Sequence, residues 1–254
     1  INTAKTGEQI FAKVNRIEYN NNILKDITLR GNNENNQILH VATNFKLGTP
    51  EDEIKQTLKE YSVNLNQSTN ATGDFVFRFE PTTVTFNNVA WNIDTSPELN
   101  HSITYRKKTG DFFIQNLRVY SDNSELFVKE SFFKSAKDFS AVGEVRNLEL
   151  AKVLALTNTN NTMDVKGVAN GTFDITMSKN NLEPLIDLDI TDIFMNGKDM
   201  GNVTISAKKS AIPNVFDIEA KVVSAGIIGD NSLFLTGTIN NNTSSPTLDV
   251  LAKM

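Results

Sequence analysis

Few residue types in this 254-residue chain could do chemistry, and their spacing argues against it. The two histidines, His40 and His101, lie in different regions, and neither is near a nucleophilic serine motif or an acid in a known pattern. Zinc sites and hydrolytic triads need several such groups together. The chain has no cysteine, which excludes disulfides and thiolate metal ligands. We therefore expect no catalytic residue, no metal site and no cofactor, and we interpret the protein as a non-enzyme.

Two clusters of acids offer oxygen ligands, and both have a simpler interpretation. Asp187, Asp189 and Asp192 could suggest calcium. Alternation places Asp187 and Asp189 about 7 Å apart on one strand face, without a glycine-containing ligand loop, so we interpret them as solvated surface. The run 51–53 is acidic and follows Thr49-Pro50, which is typical of a helix N-terminus.

Aromatic residues raise a third possibility, which is stacking on a sugar. Phe75, Phe77 and Phe79 alternate and should therefore face inward, whereas the orientation of Trp91 stays open. An exposed Trp91 would favour a glycan-binding or adhesin module.

Composition excludes further classes. The net charge is -5, and no run is rich in Lys and Arg, which argues against a nucleic-acid partner. No apolar run approaches the roughly 20 residues that span a bilayer. Hydrophobic residues are 39% of the chain, yet 16 are Phe, which fits sheets with one apolar face. Because the chain opens on Ile1-Asn2-Thr3, we expect a segment of a longer protein.

The strongest pattern is strand-like alternation from Gly171 to Ala252. Runs such as 173–177, 186–190, 203–207 and 216–222 place apolar residues at every second position and polar residues between them. Since successive side chains on a strand face opposite sides, these runs predict a sheet with one apolar and one polar face. A glycine at or before several runs (Gly143, Gly171, Gly201 and Gly237) suggests a weak repeat whose units bury their apolar faces by stacking.

Two helices are predicted within this all-β pattern. Pro50 and the periodic Ile54, Leu58 and Tyr61 indicate a helix over about residues 50–62. A shorter helix is expected over Leu148–Leu156, capped by Asn147. Strands are expected over 10–17, 27–29, 38–45, 75–79, 84–86, 103–105, 112–120 and 126–128. No linker interrupts the chain, so residues 1–254 should form a single continuous segment, with a possible sub-boundary near residues 140–165.

Several passages resemble one family. Residues 168–177, 184–190 and 196–205, the final 233–239 with 248–252, and the upstream 79–81, 91–93, 103–105 and 113–119 resemble the TamB family (translocation and assembly module subunit) of AsmA-like proteins, in its Bacteroidetes type. The likeness covers residues 70–254 well and residues 1–69 loosely.

This resemblance implies a fold and a function. It implies an elongated, curved antiparallel sheet folded into a U, a β-taco, with an apolar inner groove and two short inserted helices. It also implies a periplasm-spanning segment of the cell envelope, in a protein anchored in the inner membrane. The groove would shelter lipid acyl chains for phospholipid transport between the inner and outer membrane and for outer-membrane biogenesis. Its partners would be phospholipid acyl chains and an outer-membrane assembly protein of the Omp85 type.

The residues expected to line the groove are the apolar members of the alternating runs. They are Phe173, Ile175, Met177, Ile186, Leu188, Ile190, Val203, Ile205, Phe216, Ile218, Val222, Leu233, Leu235, Ile239, Leu248 and Val250. The same pattern also fits the closed, dry core of a sandwich. Two rival functions stay open beside lipid transport. One is a scaffold or chaperone for outer-membrane β-barrel assembly that works by strand addition at a sheet edge. The other is a secreted β-sandwich that binds glycans or acts as an adhesin.

Overall fold

The computed structural model confirms the all-β class. It describes residues 7–19, 22–33, 38–86, 89–156, 164–179, 181–223, 232–242 and 247–253. The strand pairs within these ranges are antiparallel, and two short helices interrupt the strands. The chain divides into two compact units, Ile1–Gly110 and Asp111–Met254. The described part of 140–165, where the sequence suggested a sub-boundary, lies inside the second unit.

The first unit combines a meander with an inserted hairpin. Strands β1 to β5 pair in chain order, but β5 then pairs with β8, while β6 and β7 pair with each other. Its elements are β1 (Gly7–Tyr19), β2 (Asn22–Asn33), β3 (Leu39–Gly48), α1 (Pro50–Lys55), β4 (Lys59–Thr69), β5 (Phe75–Phe79), β6 (Thr82–Phe86), β7 (Val89–Ile93) and β8 (Ser102–Arg106).

The core of the first unit mixes apolar and polar side chains. Ile23, Leu39, Tyr61, Val76 and Trp91 are its buried hydrophobic residues. Asn33, Thr82, His101 and Ser102 are buried as well. Phe45 stacks on Tyr61 with ring centroids 5.4 Å apart, across the β3–β4 pair.

The second unit is a meander in which each strand pairs with the next. Its elements are β9 (Asp111–Ser121), β10 (Ser124–Ser135), β11 (Asp138–Glu149), α2 (Leu150–Leu156), β12 (Val165–Ser178), β13 (Asn181–Met195), β14 (Lys198–Lys209), β15 (Val215–Val223), β16 (Ser232–Asn240) and β17 (Thr247–Lys253). Because residues paired across neighbouring strands point to the same side of the sheet, the alternating faces continue from one strand to the next.

Helix α1 is shorter than the sequence predicts. Thr49 caps it with the expected geometry, since its hydroxyl accepts from the Asp52 amide and the Asp52 carboxylate accepts from the Thr49 amide. Gln56 then adopts a left-handed conformation and ends the helix. The prediction that it continues to residue 62 is wrong, because Tyr61, Val63 and Leu65 also satisfy strand alternation and belong to β4.

Helix α2 begins at Leu150, two residues later than predicted. Asn147 does not cap it. This residue lies within β11 in a left-handed conformation, and its amide donates to the side chain of Asn170. The helix is instead held by Lys152, whose ammonium contacts the Ser121 carbonyl at 3.0 Å and Glu149 at 2.9 Å.

Candidate functional site

Strand register gathers the predicted groove residues into rows on one face of the second unit. In one row Phe173 pairs with Ile186, which pairs with Ala207, then Ile218 and Gly237, and the row ends at Val250. A second row runs from Gly171 through Leu188, Ile205, Ala220 and Leu235 to Ala252. A third contains Ala169, Ile190, Val203, Val222 and Leu233. We call this surface the apolar face.

Most of the apolar face is only half-buried. Phe216 is 3% exposed and Ile239 is 7% exposed, whereas Leu248 and Val250 on β17 are each 61% exposed. The other twelve predicted groove residues are intermediate. Side chains interdigitated in a closed sandwich core would be almost fully removed from solvent. Within the described residues, most of the apolar face is therefore not sealed from solvent as a sandwich core would be.

The sequence missed that the same face extends over β9, β10 and β11. Leu117 pairs with Val128, and Val128 pairs with Gly143, which pairs with Phe173. One row nearer α2, Val119, Leu126 and Val145 lead to Gly171 in the same way. The sequence signal is weaker here than after Gly171, because Phe127 and Val142 place apolar residues on the opposite face as well.

Two glycines let the rows lie close together. Gly143 sits beneath the ring of Phe173, whose Cε1 would lie 3.1 Å from a Cβ added to Gly143. The neighbouring aromatic side chain thus covers the gap that the glycine leaves. Gly171 has a φ of +142°, and a Cβ there would overlap the carbonyl oxygen of Asp187. Three of the repeat glycines, Gly143, Gly171 and Gly237, therefore mark close backbone approaches inside strands and are not simple turn residues.

One end of the apolar face is drawn together by an asparagine. The Asn241 side chain donates to the Leu182 carbonyl at 2.8 Å and accepts from the Leu182 amide at 3.2 Å. Leu182 lies in β13 and Asn241 follows β16, three strands away, which is about 14 Å in a flat sheet. The sheet must therefore curl at this end. We call this bidentate contact the clasp. Phe216 and Ile239, the most buried groove residues, lie beside it.

The opposite face of the second unit is polar. Asp187 and Asp189 are exposed on it, and Asp192, at a register shift of β13, is exposed as well, in agreement with their interpretation as solvated surface. Lys221 lies 5.3 Å from the ring centroid of its register partner Phe234. A cleft of about 520 Å³ over β12–β14 is walled mainly by side chains with this polar-face orientation, such as Thr172 and Ser206. It is a surface depression of the polar face and adds no chamber to the apolar one.

Both histidines meet one short segment of the first unit. His40 Nδ1 lies 3.1 Å from Glu80 Oε1, and the Phe79 amide donates to His101 Nε2 at 2.9 Å. Accepting this bond requires a neutral His101 ring. Burial, with a smaller contribution from Arg78, lowers the pKa of His101. This arrangement holds the end of β5 in place and contains no nucleophile.

The aromatic residues considered for sugar stacking do not form an exposed platform. Trp91 is 7% exposed and packs in the first unit, where it is the register partner of Val84. Phe75, Phe77 and Phe79 are half-buried. The ammonium of Lys107 lies 3.8 Å from the Phe75 ring centroid. The glycan interpretation therefore loses the one residue on which it depended.

Within the described ranges, no three His, Asp or Glu side chains converge as a metal site would require. The described helices, of six and seven residues, are far too short to cross a membrane. In a comparison with known proteins, no family model, no curated protein and no solved structure matches the chain.

Proposed function

We propose that this chain is a segment of a TamB-like envelope protein whose apolar face shelters lipid acyl chains. The observation that supports it best is the continuous register of apolar side chains from β9 to β17, most of them half-buried. Such a surface suits phospholipid transport between the inner and outer membrane and outer-membrane biogenesis. The proposal places the protein in the periplasm, anchored in the inner membrane, with an assembly protein of the Omp85 type as its partner.

The energetics are sufficient for a carrier without any chemical step. Each CH₂ withdrawn from water contributes about 0.8 kcal/mol, so a fully covered 16-carbon chain is stabilised by about 12 kcal/mol. A half-covered chain gains about half of that. Because the rows repeat similar aliphatic side chains, an acyl chain would slide along them with little change in free energy. The head group would stay in water.

Lipid content of the purified protein tests this proposal. We expect phospholipid to be extracted from the wild-type chain and seen as adducts by native mass spectrometry. Leu188→Asn, on the half-buried apolar face, should reduce the bound lipid several-fold. Asp187→Asn, the exposed neighbour on the polar face, is the matched control and should retain it. An absence of lipid from folded wild-type protein would count against the proposal.

One observation favours the scaffold function as a second candidate. All seven residues of β17 are exposed, including Leu248, Val250 and Leu251. A strand of this kind could accept an unfolded β-barrel strand through backbone hydrogen bonds. The two functions separate experimentally: binding of a barrel-derived peptide should be weakened by Val250→Pro in β17 and should be indifferent to Leu188→Asn.

A further inference from the structure

The second unit has two rims, each formed by the strand ends at one side of its meander. The C-terminal ends of β10, β12, β14 and β16 lie at the rim that carries the clasp. We call this the clasp rim. The C-terminal ends of β9, β13 and β15, together with helix α2, form the far rim.

The clasp rim carries unpaired lysines. Lys134 and Lys137 flank the β10–β11 turn, Lys179 directly follows β12, and Lys209 ends β14. All four are exposed, and none of them forms an ion pair within the described ranges. Lys208 also lies near this rim, and four accessible carboxylates share it, Asp138, Glu183, Asp217 and Asp249, while Asp111 is fully buried. Positive charge is therefore concentrated at the turns, where Lys134, Lys137 and Lys179 face only Asp138, whereas Glu183, Asp217 and Asp249 lie two residues inside their strands.

The far rim has a different charge arrangement. Lys152 is bound to Asp122 at 3.0 Å and to Glu149 at 2.9 Å. The other lysines of this rim are interspersed with exposed aspartates, in the set Asp164, Lys166, Asp192, Lys198, Asp199 and Lys253. Positive charge at the far rim is thus matched by negative charge, which leaves no basic strip among its described residues.

The apolar face leads directly to the lysines of the clasp rim. Its last row pairs Phe112 with Phe133, Phe133 with Phe139, Phe139 with Met177, and Met177 with Leu182. Lys209 is the register partner of Phe216 and therefore lies on the apolar side, and Lys179 lies in the turn two residues after Met177. Since neighbouring strands are about 4.8 Å apart, successive hairpins place lysines at intervals of about 10 Å along the rim.

From this juxtaposition we infer that the clasp rim binds the phosphate of an anionic phospholipid whose acyl chains lie on the apolar face. The inference rests on the proposed lipid function and adds the lipid class and the rim that faces the head group. A zwitterionic head group would present its own cation to the lysines and lose most of the attraction. A repeated spacing of lysines would let a head group pass from one hairpin to the next as the acyl chains slide.

The test compares two vesicle compositions with identical acyl chains, phosphatidylglycerol and phosphatidylcholine. Protein is incubated with each, separated from the vesicles, and its bound lipid is counted by native mass spectrometry. We expect a preference for phosphatidylglycerol of about fivefold or more, as one well-placed lysine provides at an anionic surface. The preference should fall as salt rises from about 0.1 M to 1 M, because the Debye length shrinks from about 10 to 3 Å.

Matched triple variants locate the preference. Lys134→Gln, Lys137→Gln and Lys179→Gln together, which leave only Lys209 of the four, should remove most of the preference for phosphatidylglycerol. The control, Lys166→Gln with Lys198→Gln and Lys253→Gln at the far rim, removes the same charge and should keep the preference. Circular dichroism establishes that both variants are folded.

Each outcome decides between the two proposals. Equal loading of both lipids, unchanged by either variant, would overturn the headgroup inference and leave acyl-chain binding standing. Loss of the preference in the control variant as well would show that net charge, and not the clasp rim, is responsible, which also overturns it. Failure of the folded wild-type protein to take up either lipid would contradict the proposed function itself.

Discussion

The two units treat their aromatic and polar side chains differently. In the first unit the β6–β7 hairpin interrupts the order of pairing, so that β5 pairs with β8, and Trp91 and His101 are buried. In the second unit every strand pairs with the next, and most of the apolar face is half-buried, although Val145, Ala169 and Ala207 are buried on it as well as Phe216 and Ile239. The first unit thus buries its tryptophan and a histidine, whereas the larger side chains of the second unit's apolar face, apart from Val145, Phe216 and Ile239, remain partly accessible.

Each unit has a glycine within a row of apolar residues, but the two glycines should differ in how well they tolerate a larger side chain. At Gly31 a Cβ would meet the Ile10 side chain at 3.1 Å, a neighbour that can move. At Gly171 the obstacle is the backbone of Asp187, and φ is +142°. The first unit is therefore held by local side-chain packing, and the second is fixed by its backbone and its clasp.

The largest effect is expected from Gly171→Ala. The added methyl overlaps a backbone carbonyl in a conformation that side chains rarely adopt, so we expect a loss of about 3 kcal/mol or more. Gly31→Ala should change stability by no more than about 1 kcal/mol, since Ile10 can adjust. Urea denaturation followed by circular dichroism measures both. Similar losses of stability for the two variants would contradict the proposed difference between Gly31 and Gly171.

Phe216→Ala should show where the second unit has a packed core. This side chain is almost fully buried beside the clasp, and truncation of a buried Phe costs about 3–5 kcal/mol. Phe194→Ala, a half-exposed Phe of the same unit, should cost less than about 1.5 kcal/mol. Thermal unfolding of the two variants measures the difference in stability. Equal losses of stability would show that Phe216 does not belong to a packed core.

Asn241→Leu tests the clasp itself. The change keeps the branched shape and the number of heavy atoms but leaves the amide and carbonyl of Leu182 without their partner, which should cost about 1–3 kcal/mol. Hydrogen exchange at the Leu182 amide should accelerate. Asn202→Leu, whose native side chain accepts from the exposed Asp192 amide at the far rim, should cost about 1 kcal/mol or less. Unchanged exchange at Leu182 would show that the clasp does not hold β13.

The smallest expected effect is a pH dependence of the first unit. Because burial lowers the pKa of His101 in the folded protein, the unfolded chain, near 6.5, takes up the proton first as pH falls. The stabilisation is therefore complete above about pH 6.5 and is lost progressively as pH falls below it. His101→Gln should remove this slope, and His40→Gln, a half-exposed control, should keep it. Trp91 fluorescence during urea unfolding reports on the same unit.

Alternation predicted the class of fold, most strand positions and the side chains of the apolar face. It succeeded because period-two patterns determine the face on which a residue lies, whatever its partner strand. It failed for the end of α1, where Tyr61 fits a helical and a strand period equally and the strand partner Phe45 decides. Asn147 illustrates the same limit. Asparagine is a common N-cap residue, but here it adopts a left-handed conformation within β11 and does not cap the helix that follows.

The geometry at the two rims could not be predicted from the sequence. The contact of Asn241 with Leu182 joins residues 59 apart, and no local pattern signals it. The burial of Trp91 likewise depends on pairing between β6 and β7, which alternation does not specify. The lysines near the strand ends were visible in the sequence, but only the strand register brings them to one rim.

Photocrosslinking at two adjacent positions of β14 tests the lipid-binding surface most directly. A photoreactive residue at Ile205 faces the apolar side, and one at Thr204 faces the polar side of the same strand. We predict crosslinks to phospholipid acyl chains from position 205 and none from position 204, with Leu188→Asn reducing the former several-fold. Equal labelling at both positions, or labelling at position 205 that Leu188→Asn leaves unchanged in a folded protein, would contradict a lipid site on the apolar face.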